Sequence, residues 1–374
     1  MMEYDVIIVG AGPAGASAAL VSASLNLKTL VVEKKKIPRQ KACSGILVPA
    51  SLTFLRNYFG DLPDEIFSRP KEVRSMRMHF GGGRVVDATI GGLMVWRDRL
   101  DEWLCRHAGA EILDGTTLET LVEKDDGVEL LCRDPDGEKL SMRCRVLIAA
   151  DGGPSTVVRL LEPVLHKRLR WYVALQDIYE CSCNLEPGLF HFFARPEISP
   201  YLSAYVKDDR LVMDVVVSVG QRATDVMDRF RAFLWPRVGV EKASLAGRLG
   251  CRVTYAAPKG LFCFGTHRVL VAGEASGLLN NFGEGISSAL ASGLIAGRAA
   301  ERGLREGVPP GRIYREEIEG EKRKTLNTFD YRRFLFGKSS AIHFGARSVP
   351  LSWRERIGLA GDVVRWLLRM RKSR

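Results

Sequence analysis

The first 33 residues constrain the fold more than any other stretch. Tyr4-Asp5-Val6-Ile7-Ile8-Val9 is an apolar run rich in Val and Ile, and it leads straight into Gly10-Ala11-Gly12-Pro13-Ala14-Gly15. An alanine-rich segment follows, and a second apolar run, Thr29-Leu30-Val31-Val32, closes on Glu33. The pattern predicts a buried strand, a glycine turn, a helix and a second strand ending on an acid. Each part has a job in holding a dinucleotide. Gly10 permits the tight turn, Gly12 lets the backbone approach a pyrophosphate, and Gly15 lets the helix pack close to the sheet. Pro13 and Ala14 open a helix whose free N–H groups favour phosphate. Glu33 is placed to accept hydrogen bonds from ribose hydroxyls, with Lys34 beside it as a further candidate. This unit alone leaves FAD and NAD(P) equally open.

At 374 residues the chain is long enough for two or three domains with ample core. It contains no apolar run long enough to cross a bilayer, and no secretory signal is expected. The eight Cys are scattered, and Cys181-Ser182-Cys183 lacks a partner pair, so free thiols in a reducing cytoplasm are expected and no metal. The formal charge of +11 is concentrated at one end: from Arg298 onward there are 19 Lys and Arg against 9 Asp and Glu. That asymmetry points to an acidic partner or surface, and no base-recognition motif suggests nucleic acid. At residues 353–370, Trp353, Ile357, Ala360, Val364 and Leu367 follow helical spacing, with Arg354, Arg365 and Arg369 elsewhere on the wheel. This pattern suits a helix lying peripherally on an anionic membrane, at its inner face, and also a core-capping helix with a basic outer side, which is the commoner case.

Further along, residues 51–59 and 97–108 read as helices, and 72–80 with 84–90 as a hairpin around Gly81-Gly82-Gly83. Residues 110–148 read as a three-stranded β-meander inserted as a crossover, followed by a buried strand, Val146–Ala150, ending on Asp151-Gly152. Tyr201–Val206 and Leu211–Val217 belong to a second, antiparallel sheet, and 223–234 to a helix. Val269–Ala272 is a short buried strand ending on Gly273-Glu274, and a small-residue helix, Ser287–Arg302, follows. Beyond Pro309-Pro310 the pattern is helical and charged.

Three strand ends thus carry Gly10–Gly15, Asp151-Gly152 and Gly273-Glu274, where a doubly wound sheet places its ligands. With the meander crossover, this ordered triple resembles the FAD-binding domain of para-hydroxybenzoate hydroxylase-like flavoproteins, from residue 2 to about residue 300. The resemblance implies FAD. It implies that Asp151 and Gly152 lie near the pyrophosphate and ribityl chain, and that Arg97 points toward the flavin or its phosphates. It also puts Glu274 where the family has an Asp that binds a ribityl hydroxyl. Aromatic hydroxylases carry a His where this chain has Gly277. Gly283-Glu284-Gly285-Ile286 and Cys43-Ser44-Gly45 instead resemble the geranylgeranyl reductase branch, which includes electron-transfer quinone oxidoreductases. Glu274 for Asp, and Asn281 near the place of a usual proline, depart from that branch. No Trp-x-Trp-x-Ile-Pro segment occurs, which disfavours halogenases.

In that branch the Gly283–Ile286 turn brings backbone N–H groups to the flavin pyrimidine edge, and the Cys43-Ser44 loop borders the isoalloxazine. Cys43 reads evenly as a proton donor, its pKa lowered by the basic loop Lys34–Lys41, or as a small residue packed on the ring. The expected architecture is an α/β chain. It has a discontinuous Rossmann-type FAD-binding domain (1–70, 97–165 and 265–305) with a β-meander crossover. An antiparallel-sheet substrate domain (71–96 and 166–264) and a C-terminal helical region (306–374) complete it. The expected activity is a cytoplasmic FAD-dependent oxidoreductase that reduces C=C bonds of an apolar, isoprenoid-like substrate. A flavin-dependent monooxygenase and an electron-transfer flavoprotein-quinone type oxidoreductase are the alternatives. With one nucleotide unit in the chain, electrons come from transiently bound NAD(P)H or from an acidic carrier such as ferredoxin.

Overall fold

The structure, a computed structural model, describes residues 2–328 except 81, 82, 84, 196 and 200. The segment 353–370, and with it much of the basic excess, lies outside the described residues.

The opening unit folds as its pattern predicts. β1 (Met2–Val9) lies parallel to β2 (Thr29–Glu33), with α1 (Pro13–Ser24) as the crossover. β1 pairs on its other side with β9 (Lys139–Ala149), in register from Met2↔Met142 to Val9↔Ala149. β6 (Glu111–Asp114) extends the sheet beyond β2, and β15 (Val269–Val271) pairs with the C-terminal end of β9, both parallel. These strands are apolar throughout because both faces are covered. Val6, Ile8, Val31 and Ile148 pack toward α1 and α7 (Ile286–Glu306), whereas Ile7, Val9, Leu30 and Leu147 pack under the meander.

That meander is β7 (Thr117–Lys124), β8 (Gly127–Arg133) and β9 itself. The expectation of a meander followed by a separate buried strand at 146–150 is therefore corrected: one strand does both jobs. Its first half alternates because one face is solvated beside β8, and its second half is covered on both sides.

The second sheet has eight strands in the order β14-β10-β13-β12-β11-β4-β5-β3. They are β3 (Ile46–Leu47), β4 (Phe67–His79), β5 (Val85–Val95), β10 (Trp171–Glu180), β11 (Leu189–Phe193), β12 (Tyr201–Lys207), β13 (Arg210–Ser218) and β14 (Ser244–Thr254). All neighbours are antiparallel except β11 with β4. The hairpin of β4 and β5 is the one the glycines predict, and Ile46–Leu47 joins it from well upstream. One face of the sheet is closed by α6 (Ala223–Leu234), through Val226, Met227 and Phe230. The opposite face presents Met76, Met78, Ile90, Met94, Ile178 and Phe190, packed with Ile46, Trp96 and Phe282.

The helices bind the two sheets together. α2 (Pro49–Tyr58) and α3 (Arg97–Arg106) pack Leu55, Leu100 and Leu104 against Ala16 of α1 and Leu290 of α7. Small residues let α7 lie directly on α1: a Cβ at Gly293 would stand 2.1 Å from the Ala14 carbonyl oxygen. α4 (Thr156–Leu161) and α5 (Pro163–Arg168) follow β9, and α8 (Pro310–Glu317) and α9 (Glu319–Asn327) end the described chain. Among the described residues no helix is long and apolar enough to cross a membrane.

Candidate active site

The glycine turn is closed on two sides and open on a third. A Cβ on Gly10 would stand 2.3 Å from the Ala150 oxygen, and one on Gly15 only 1.8 Å from the Gly10 oxygen. At Gly12 the nearest atom is Arg39 Nη2, 3.6 Å away. Glu33 is buried under this turn, its Oε2 accepting from Ala11 N at 2.9 Å and its Oε1 from Lys35 N at 3.1 Å. Pro13 and Ala14 are buried at the start of α1, and Lys34 is exposed. Arg39, which sequence reasoning passed over inside the basic loop, pairs with Glu33 at 3.3 Å and with Asp101 at 3.0 Å.

The other two strand ends abut one another. Asp151 Oδ2 accepts from Thr156 N at 2.7 Å and Val157 N at 3.2 Å, capping α4, while Oδ1 is buried with no partner among the described residues. Burial raises the Asp151 pKa, with Ser155 and the helix N–H groups opposing it. Gly152 follows at φ +80° with open space where a Cβ would stand. Glu274 lies in the 3-10 turn Gly273–Ser276; its Oε2 is 3.7 Å from Lys41 Nζ and its Oε1 is buried without a partner among the described residues. A Cβ on Gly153 would come within 2.6 Å of that Oε1. These groups fit FAD: the open side of Gly12 and the nearby guanidinium suit a pyrophosphate, and the two unpartnered carboxylate oxygens suit a polyhydroxyl chain.

Gly283 (φ +78°) and Gly285 form the turn into α7, with Ile286 as its first residue. The Glu284 carboxylate folds back on this helix, accepting from Ser287 N at 2.8 Å and Ser287 Oγ at 2.7 Å. It therefore caps its own helix, and burial raises its pKa.

Cys43 and Ser44 lie half-buried between the two sheets. Gly45 N donates to Cys43 Sγ at 3.4 Å, and the Arg97 guanidinium also contacts the thiol side chain. Arg97 is not an exposed helix-start residue: it is 6% exposed and forms two 2.9 Å bonds to Asp101, one turn further along α3. Burial works against its charge, but Asp101 and Cys43 more than offset this and raise its pKa. Ion pairs thus run from Glu33 through Arg39 and Asp101 to Arg97, and so join the glycine turn to the Cys43 loop.

The second sheet holds the same loop by its carbonyls. Cys251 Sγ on β14 donates to Ala42 O at 3.8 Å, Gln176 Nε2 on β10 to Cys43 O at 3.2 Å, and Lys207 Nζ on β12 to Ser44 O at 2.9 Å. Lys207 also donates to Val95 O at 2.7 Å and lies 3.9 Å from the Trp96 ring centroid. Burial pulls the Lys207 pKa down to about 7, and pushes Asp214 on the adjacent β13 up to about 6. Sequence reasoning missed Gln176, Lys207 and Asp214. A signal was present in β12, where Tyr201, Ser203, Tyr205 and Lys207 alternate with Leu202, Ala204 and Val206, although both faces are covered. The eight cysteines are all free thiols.

Comparison with known proteins bears on the family and the cofactor. The family described as FAD binding domain matches residues 3–169. The chain is 30% identical over 321 residues to a geranylgeranyl diphosphate reductase of Rhodobacter capsulatus, covering 82% of this chain and 78% of that protein. It is 25% identical over 319 residues to a digeranylgeranylglycerophospholipid reductase of Methanocaldococcus jannaschii, covering 81% and 78%. Among solved structures it is similar to a geranylgeranyl bacteriochlorophyll reductase-like protein from Thermoplasma acidophilum. The TM-score is 0.79 and the identity 20%, over 100% of this chain and 99% of that one.

Proposed function

The chain belongs to the geranylgeranyl reductase family of FAD-dependent oxidoreductases, and from that premise we propose that it reduces carbon–carbon double bonds in an apolar, isoprenoid-like substrate. The supporting observation is the position of Cys43. It sits where the basic loop leaves the nucleotide sheet and meets the apolar face of the second sheet, between Arg97 and Gln176. FAD, when bound and reduced, supplies a hydride to one alkene carbon. This chain's own residues then have three tasks. Gly12 and Arg39 hold the pyrophosphate, and Asp151 and Glu274 take the ribityl hydroxyls. Met76, Met78, Ile90, Met94 and Phe190 form the packed apolar core behind the site and exclude water from it. Cys43 gives the proton that completes the second carbon, or stands aside while solvent does. The names of the two relatives, both reductases of geranylgeranyl compounds, support this substrate class. NAD(P)H or a small acidic carrier delivers the electrons.

The test is anaerobic. Photoreduced holoenzyme mixed with a geranylgeranyl lipid is expected to reoxidise, with the lipid gaining two hydrogens by mass spectrometry. If no unsaturated lipid reoxidises it, the reading falls. Oxygen uptake coupled to substrate would instead mark a monooxygenase. A Cys43→Ala variant with unchanged turnover assigns the proton to solvent.

A further inference from the structure

Gln176 stands between a carboxylate and the peptide that carries the Cys43 thiol. Its Nε2 lies 2.8 Å from Asp214 Oδ1, 3.2 Å from the Cys43 carbonyl oxygen and 3.1 Å from Tyr205 Oη. An amide nitrogen has two hydrogens, so the two strong acceptors take them both. Gln176 is 1% exposed and its Oε1 is buried without a partner among the described residues, so water does not compensate for a lost contact.

Asp214 is held in turn by Ser203 Oγ at 2.9 Å and by a hydrogen bond from Tyr205. The ionisable groups that act on it come from β12: Tyr201, Tyr205 and Lys207. From β14, Cys251 touches the loop at Ala42, and from α3, Arg97 touches the thiol. Burial sets the Asp214 carboxyl at about 6, against the pull of its Gln176 and Ser203 bonds, the Lys207 charge and the Tyr205 bond. Its charge therefore changes within the range where an enzyme works, and Gln176 touches both that carboxylate and the loop.

We propose that Asp214 and Gln176 are a positioning pair for Cys43, in which the ionised carboxylate orients the amide and the amide pins the Cys43 peptide. The pair acts through the Cys43 peptide and sets how the thiol is presented. It rests on the reading that places Cys43 at the reacting centre. With Asp214 ionised, one charged and one neutral acceptor fix the amide. With Asp214 protonated, the charged acceptor is lost and the Cys43 carbonyl is held by a weaker, reorientable partner.

The readout is alkylation of Cys43 in the FAD-loaded protein, followed by peptide mass spectrometry from pH 5 to 8. Cys181, packed on the opposite face of the sheet, serves as the internal reference. The ratio of Cys43 to Cys181 labelling is expected to rise roughly fivefold as pH falls through about 6, the scale of one lost hydrogen bond. Asp214→Asn keeps the high ratio at every pH. Gln176→Leu does the same, and adding Asp214→Asn to it changes nothing further. The proposal is overturned if the wild-type ratio shows no step near pH 6, or if a step survives in either variant. Should Asp214→Asn fail to fold, the Gln176→Leu comparison decides alone. Labelling requires no turnover, so a Cys43→Ala enzyme of full activity would remove the proton-donor role and leave this result standing.

Discussion

The two sheets meet the site by different physical means. The first presents main chain at strand ends: a bare glycine turn, helix N–H groups, and carboxylates at the residues where strands stop. The second presents side chains of its strands, and three of them hold successive carbonyls of one loop. A glycine turn depends on space and carries no titratable group, whereas the Asp151 carboxyl beside it is shifted by burial. A buried side-chain site depends on charge, because each ionisable group there has been taken out of water. Mutations should therefore act on the first through sterics and on the second through titration.

The largest effect is expected at Gly15. A valine there drives Cβ into the Gly10 oxygen, backbone against backbone, at a cost above about 4 kcal/mol. Gly15→Val should yield no cooperative melt and no flavin absorbance after purification, and a stable yellow protein would break the steric half of the comparison. Next is Arg97→Met, which leaves Asp101 buried with Arg39 as its remaining ionic partner. About 3 kcal/mol should be lost, read as a fall in denaturant midpoint. A loss under about 1 kcal/mol would show that the ion-pair line is incidental.

A smaller, pH-dependent effect belongs to Asp214. Its native pKa of about 6 lies above the unfolded value, so the native state binds more protons between the two. The stability this group contributes is complete below about pH 4 and is lost as pH rises through about 6. The loss should amount to about 2 kcal/mol, and Asp214→Asn should abolish it. Denaturant midpoints between pH 4 and 7 measure this directly. The smallest stability change is expected at Gly12→Ala, within about 0.5 kcal/mol, because only a side-chain tip lies near the added methyl. FAD affinity should nonetheless fall, by fluorescence titration, since the methyl points into the open side of the turn.

The same contrast explains what could be read from the residues. Gly10 to Gly15 and Glu33 form one contiguous unit, so strand, turn, helix and acid announce each other. Asp151 and Gly273-Glu274 are legible as strand ends, and Cys43 by its likeness to a family pattern. Arg39 was hidden among the lysines of the basic loop, since nothing local says which cation folds inward. Gln176, Lys207 and Asp214 lie on three strands and converge only through pairings such as Ser203↔Asp214 and Gln176↔Asp214. Their polarity in otherwise apolar strands was visible, but its meaning required the register. β9 shows the opposite case: one strand changes from alternating to continuous burial, and reads as two.

Lys207 has a consequence beyond holding a carbonyl. Its ammonium joins Ser44 and Val95 while resting on the Trp96 ring, with no exposed surface of its own. Parting the loop from β12 would remove the Ser44 carbonyl and leave Val95 O and the Trp96 ring, and burial, which already pulls the Lys207 pKa down to about 7, would favour loss of the proton. The loop and β12 are therefore tied by a bond that a single proton can undo, and movement of one against the other is coupled to the charge of that amine.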